Sequence, residues 1–299
     1  LENNKNDMDD NIHEYEEGGL CKLEKDDKIK KYKLLELLGE GSYSSVWKVQ
    51  NSEKKTFALK ISKSNKSDEA VGLNEIKILK NFKNNPHILN LKDSFMYKKD
   101  NSKHLCMVIE NLGFDLHILK RLFRFTDYNS SEESEENVNS IMRCVPLNLS
   151  KKITYQILKG LEIIHSKNII HTDLKLDNIL ITNDIENIKY NKDINIKICD
   201  FGTSHLNTEK CNFNVGTIDY SAPECIIGLP YGTGIDIWAT GCILFEILTG
   251  VCLFDYTRYY EDGDNCSSGY SSSSYDNEND KTQIEFLVLC MMKVILGGF

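Results

Sequence analysis

Apolar residues along the chain change their spacing near residue 110. Before it the apolar runs are short and strand-like: 32–49, broken by a glycine-rich turn, then 57–61, 91–96 and 104–109. One helix interrupts them, because Ala70, Leu73, Ile76 and Leu79 recur at helical spacing within 68–82. After residue 110 helical spacing takes over. It predicts helices over 116–125, over 147–167 through Ile153, Ile157, Leu161 and Ile164, over 234–248 and over 283–296. Three stretches carry no period. Residues 1–14 are Asn, Asp, Glu and Lys and are expected to be disordered; 129–140 reads as a flexible acidic-serine insertion; 256–281 is rich in Ser, Tyr, Asp and Gly and reads as a surface loop. Glu110-Asn111-Leu112-Gly113 is a polar connector ending in glycine, suited to a hinge.

Composition removes some classes of function. A chain of 299 residues that is 40% hydrophobic and 27% charged is long enough to bury a core. No run approaches the ~20 apolar residues of a membrane span, and the first residues are polar where a signal peptide is apolar. The expectation is a protein inside the cell, in cytoplasm, nucleus or both, with no membrane partner. The 10 cysteines stand singly with no C-x-x-C, so neither a disulfide framework nor a zinc site is indicated. A net charge of -9 disfavours direct nucleic-acid binding and is compatible with a basic peptide substrate.

The chemistry concentrates in 169–202. There His171-Thr172-Asp173-Leu174-Lys175 and Asn178 are followed by Asp200-Phe201-Gly202, each flanked by apolar strand-like runs. These fit the catalytic loop H-x-D-L-x-x-x-N and the metal-binding D-F-G of protein kinases. Upstream, Gly39-Glu40-Gly41-Ser42-Tyr43-Ser44-Ser45-Val46 lies close to G-x-G-x-x-G-x-V, with Ser44 at the third glycine. Phe57-Ala58-Leu59-Lys60-Ile61 places a lysine where V-A-I-K has one. Glu75 on the following helix is its candidate ion-pair partner, with Glu69 as the alternative.

Together with Ala222-Pro223-Glu224 and Asp236-Ile237-Trp238, this order resembles the eukaryotic protein kinases over roughly residues 30–296. Lys175 and Gly216-Thr217 resemble the serine/threonine class, in which that threonine bonds the catalytic aspartate and lysine. The resemblance implies a two-lobed α+β fold: an antiparallel five-stranded sheet with one main helix (15–110, including a lead-in), then a mostly helical lobe (111–299). It implies ATP with Mg²⁺ as cofactors. Asp173 would be the base, Lys175 would meet the transferring phosphoryl group, and Lys60 with Glu75 would hold the α- and β-phosphates. Asn178 and Asp200 would hold the metal. Gly39, Glu40, Gly41, Ser42, Val46, Ala58, Lys60, Leu180 and the hinge residues Ile109, Glu110 and Leu112 would line the nucleotide, with Ile109 as gatekeeper. Asp236 would brace the catalytic-loop backbone.

Within the kinases, Tyr15 to Leu20, the hinge Cys106 to Gly113, and Thr172 in place of arginine resemble the SR-protein kinases. LAMMER-type kinases share the H-T-D. The implied substrate is serine in arginine/serine-rich proteins such as splicing factors, with the oligomeric state left open.

Two departures modify this. Ile218 and Ser221 stand where the wider group carries arginines, and Thr172 removes the usual partner of an activation-segment phosphate, so activity independent of that phosphate is expected. The terminal helices of the second lobe are expected to be missing, leaving Glu224 without an arginine and an apolar face of Ile284, Leu287, Val288, Met291 and Ile295 uncovered. The competing readings are a pseudokinase or nucleotide-binding scaffold, and a LAMMER-like dual-specificity kinase.

Overall fold

The computed structural model describes residues 19–41, 43–123, 144–183, 188, 193–207, 215–255 and 278–296. The predicted tail 1–14, the residues 15–18 of the lead-in, Ser42, the insertion 129–140 and residues 256–277 of the second insertion lie outside the described residues. The chain forms two compact units, Leu1–Leu112 and Gly113–Phe299.

In the first unit, β1 (Lys28–Ile29), β2 (Tyr32–Glu40), β3 (Ser44–Gln50), β4 (Thr56–Ser62), β5 (Leu91–Lys99) and β6 (Ser102–Glu110) form one antiparallel sheet ordered β1-β2-β3-β4-β6-β5. The five expected strands are joined by a sixth. Lys30 takes a left-handed φ of 52°, which folds Lys28 and Ile29 back onto Lys33 and Tyr32. Two residues carry no period that a sequence reading could detect. In β3, Ser45, Trp47 and Val49 alternate as buried positions, and Trp47 and Val49 join Tyr32, Leu34, Leu59, Ile61, Cys106 and Val108 in a core on one face.

Helix α1 (Lys66–Leu79) packs on the other face. Its orientation corrects the sequence expectation. Ala70 and Leu73 are exposed, and the inward stripe is Asp68, Gly72, Glu75, Ile76 and Leu79. A Cβ on Gly72 would stand 2.8 Å from Leu105 Cδ2, so glycine there lets the helix lie close on β6. Asn65 caps the helix by accepting the Asp68 N–H at 2.8 Å. The apolar count misplaced the stripe because it contains two carboxylates and a glycine.

The second unit contains α2 (Leu116–Leu122), α3 (Leu147–Ser166), α4 (Pro223–Ile226), α5 (Gly234–Thr249) and α6 (Glu278–Leu296). Two small antiparallel pairs complete it: β7 (Ile169–Ile170) with β10 (His205–Leu206), and β8 (Ile179–Ile181) with β9 (Ile196–Ile198). Leu149, Ile153, Ile157, Leu161 and Ile164 are the buried stripe of α3, which packs on α5 and β9. Each such side chain contributes roughly 1.5–3 kcal/mol on burial.

Helix α6 begins at Glu278, ahead of the predicted start at residue 283, and packs against α4 and the 3₁₀ turn Ile218–Tyr220. Ile284, Val288 and Met292 are buried there at four-residue spacing, and Leu287 and Met291 are half-buried. The face predicted to be uncovered is therefore largely occupied within the unit, with Ile295 left exposed. Among the described residues no helix is long and apolar enough to cross a membrane.

Candidate active site

Strand register assembles the first group of predicted residues. Val46 stands opposite Lys60, Lys60 opposite Met107, and Ala58 opposite Ile109. A strand's period of two then puts Val46, Ala58, Lys60 and Ile109 on one face, away from the Trp47-Leu59-Val108 row. Gly39 and Glu40 pair with Val46 and Ser45, so the glycine turn ends this same row. The turn closes with the Gly41 N–H donating to Ser44 O at 2.9 Å. A Cβ on Gly39 would meet nothing within 4 Å, and one on Gly41 only Ser44 O at 3.8 Å. Among the described residues nothing fills that space.

Lys60 Nζ donates to Glu75 Oε2 at 2.8 Å, with the Glu75 side chain 2% exposed. Of the two carboxylates weighed from the sequence, this one makes the pair. Glu69 sits in the first turn of α1, well short of Glu75 along the helix. Glu110 accepts the Asn90 backbone N–H at 2.7 Å and its Nδ2 at 3.0 Å, which ties the connector's first side chain to the residue ahead of β5. Leu112 follows two residues later, at the end of this unit.

The second group belongs to the other unit. The catalytic loop leaves β7 through Thr172, whose φ is 76°, and its backbone is gripped from α5: Asp236 accepts the His171 N–H at 2.9 Å and the Thr172 N–H at 3.0 Å. The same carboxylate lies 2.8 Å from His165 Nε2 and is 1% exposed. His171 stands 3.0 Å from Cys199 O through Nε2 and accepts the Asp173 N–H at Nδ1, 3.3 Å away. That pair of contacts selects the neutral tautomer with hydrogen on Nε2.

Around Asp173 the side chains converge. Thr217 Oγ1 donates to Asp173 Oδ1 at 2.9 Å and accepts from Lys175 Nζ at 3.0 Å, while Lys175 Nζ is 3.3 Å from Asp173 Oδ2. Asn178 Nδ2 donates to Asp173 O at 2.7 Å and to Oδ2 at 3.3 Å. The Asn178 backbone carbonyl accepts the Cys199 N–H at 3.0 Å, just ahead of Asp200. Asp200 adopts a φ of 64°, a conformation that costs a non-glycine residue on the order of 1 kcal/mol or more. Leu180, on β8 opposite Lys197, is half-buried. Gly216, at φ 81°, passes so close that a Cβ would stand 2.6 Å from Thr172 O.

Several contributors were not legible in the sequence. Thr172 Oγ1 donates to Thr203 Oγ1 at 2.9 Å, and Ser204 Oγ donates to His171 O at 2.9 Å, stapling the residues after Gly202 to the catalytic loop. Both links span more than 30 residues and rest on common residue types, so no local pattern marks them.

Asp219, beside Thr217, is pushed up to about 6 by burial, with the Asp255 charge adding to the effect. A carboxyl whose folded value is raised binds more protons folded than unfolded, so stability falls as pH rises from about 4 to 6. Asp219→Asn is expected to be more stable than the parent at pH 7, by on the order of 2 kcal/mol, with a flatter profile between pH 4 and 6. Urea midpoints measured at pH 4, 5, 6 and 7 check this; parallel curves for the two proteins would contradict it.

A family model for the protein kinase domain matches residues 32–293. The chain is similar to a probable dual specificity protein kinase YAK1 homolog of Encephalitozoon cuniculi, at 34% identity over 76% of this chain and 50% of that protein. It is similar to human dual specificity tyrosine-phosphorylation-regulated kinase 3, at 30% identity over 80% of this chain and 37% of that one. It is also similar to the serine/threonine-protein kinase prp4 of Schizosaccharomyces pombe, at 34% identity over 73% and 41%. The chain thus spans half the length of these relatives or less.

Proposed function

Since the chain belongs to the protein kinase domain family, we propose that it transfers the γ-phosphate of ATP to serine or threonine hydroxyls of a protein substrate. The observation that carries this reading is the Thr217 hydroxyl, held between Asp173 and Lys175. It fixes a base and a cation side by side, and it comes from the segment that leads to Ala222-Pro223-Glu224. In this reading Asp173 accepts the proton of the attacking hydroxyl, and Lys175 offsets the charge on the phosphoryl oxygens. Lys60, aimed by Glu75, binds the α- and β-phosphates, and the space beside Gly39 and Gly41 lets a phosphate approach the backbone of the turn.

Mg²⁺ suits the donor set. The Asn178 NH₂ group is engaged with Asp173, so the amide oxygen is the atom left to bind a cation, and Asp200 adds a carboxylate. Hard oxygen donors of this kind share Mg²⁺ with nucleotide phosphates and water. Held by Asn178 and Asp200, such an ion would supply positive charge to offset that of the nucleotide phosphates.

For the acceptor we propose serine in arginine/serine-rich proteins, supported by the resemblance of 106–113 and of His171-Thr172-Asp173 to the SR-protein kinases. A second reading, dual specificity toward tyrosine as well, is favoured by the names of two of the relatives. Radiolabel transfer from ATP to paired peptides differing only in Ser or Tyr at the acceptor separates the two. Nucleotide binding without transfer to any peptide would favour a scaffold instead.

Thr172 also bears on regulation. Its hydroxyl reaches Thr203 and its N–H reaches Asp236, so the loop is tied by neutral and backbone bonds at the place where an arginine would meet a phosphate. Phosphatase treatment is expected to leave turnover within about twofold of the untreated protein. Loss of turnover after dephosphorylation would refute this.

A further inference from the structure

Lys120, on α2, has no place in the chemistry above. Its Nζ lies 2.6 Å from Glu246 Oε1 on α5, and Glu246 Oε2 accepts the Tyr220 hydroxyl at 2.6 Å. The three groups are shielded from water: Glu246 is 3% exposed, and the Lys120 side chain 14%. Burial and the Glu246 carboxylate push the Tyr220 hydroxyl far above its ordinary range, so it remains a donor. Tyr220 also ends the turn that begins after Thr217. Its N–H donates to Thr217 O at 3.0 Å, Ser221 Oγ donates to the same carbonyl at 3.0 Å, and the Ser221 N–H donates to Ile218 O at 3.1 Å.

Hydrogen bonds therefore link Lys120 to Glu246 and Glu246 to the Tyr220 hydroxyl, the Tyr220 N–H to the Thr217 carbonyl, and the Thr217 hydroxyl to Asp173 and Lys175, with the frames of Tyr220 and Thr217 joining the steps. One turn earlier on α2, His117 Nε2 lies 3.4 Å from Asp177 Oδ2, inside the catalytic loop. The short helix thus meets the catalytic loop at Asp177 and α5 at Glu246. A buried carboxylate stripped of its cation keeps its desolvation penalty and must move, protonate or admit water. Any of these shifts the Tyr220 hydroxyl.

We propose that Lys120 is a positioning residue for the protein acceptor: by compensating Glu246 it fixes Tyr220 and so the segment 217–221 beside Asp173. This rests on the kinase reading. It predicts that Lys120→Ala raises KM for an arginine–serine peptide about tenfold while KM for ATP stays within about twofold, and that Lys120→Arg restores most of the loss. Hydrogen exchange of the nucleotide-free, peptide-free protein gives a readout independent of turnover. The amides of Tyr220 and Ser221 are expected to exchange about tenfold faster in Lys120→Ala, with those of Ile157 and Leu161 in mid-α3 unchanged. Lys120→Met, which keeps the stem, replaces Ala if that variant fails to fold. Equal rises in both KM values, or unaltered exchange at Tyr220 and Ser221, would overturn the proposal. A parent protein that transfers no phosphate would instead sink the kinase reading, and the exchange comparison would still decide the role of Lys120.

Discussion

Asp173→Asn is expected to lower kcat by roughly 10²–10⁴-fold, the range that a positioned general base supplies, with nucleotide affinity little changed. The substitution is close to isosteric, so the loop backbone around it has little reason to move. What is lost is the capacity to take a proton and the charge that holds Lys175 at 3.3 Å. The amide also presents either N–H or C=O to Thr217 Oγ1, which the carboxylate now accepts from at 2.9 Å. Radiolabel transfer and nucleotide titration on the same preparation separate the effects. If the variant transferred phosphate at the parental rate, Asp173 would not be the base.

Asp236→Asn is expected to have the largest effect on stability, about 2–5 kcal/mol of lost unfolding free energy. The buried carboxylate serves the His171 N–H, the Thr172 N–H and His165 Nε2 together. An asparagine offers a single acceptor oxygen and turns its NH₂ toward a donor, leaving at least one buried N–H unsatisfied. Because two of the partners are catalytic-loop amides, turnover should fall alongside the urea midpoint. An unchanged midpoint would show that the carboxylate braces nothing.

The contrast with Asp219 is instructive. Asp236 faces three donors, so removing its charge should destabilise; Asp219 is half-buried near Asp255 and its acidity is weakened, so removing its charge should stabilise. Both are aspartates in the same unit, fewer than twenty residues apart in the sequence. Only their surroundings give them opposite signs.

How much was legible follows the same division. Alternation in β3 and the four-residue spacing in α3 exposed those elements directly, since a buried face imposes its period on the sequence. Helix α1 was recognisable as a helix but its inward stripe was not, because Gly72 and Glu75 occupy it for reasons of close approach and ion pairing. The covering of α6 was misread for a related reason. An amphipathic helix reveals that it has an apolar face, while what lies against that face depends on residues far away along the chain, here α4 and the turn before it.

For the candidate site, the residue types at short spacing (His171, Asp173, Lys175, Asn178, then Asp200) stood out because their chemistry needs fixed intervals along one loop. Lys120, Thr203, Ser204 and Glu246 did not, because their partners come from other elements. The sequence alone determined the order of the longer strands and helices and the family's polar residues, since period and local spacing are written into neighbouring positions. Only the tertiary structure decided which carboxylate pairs with Lys60, which aspartate is braced by three donors and which lysine compensates Glu246. Those choices depend on distances set by strand register and helix packing, and no interval along the chain records them.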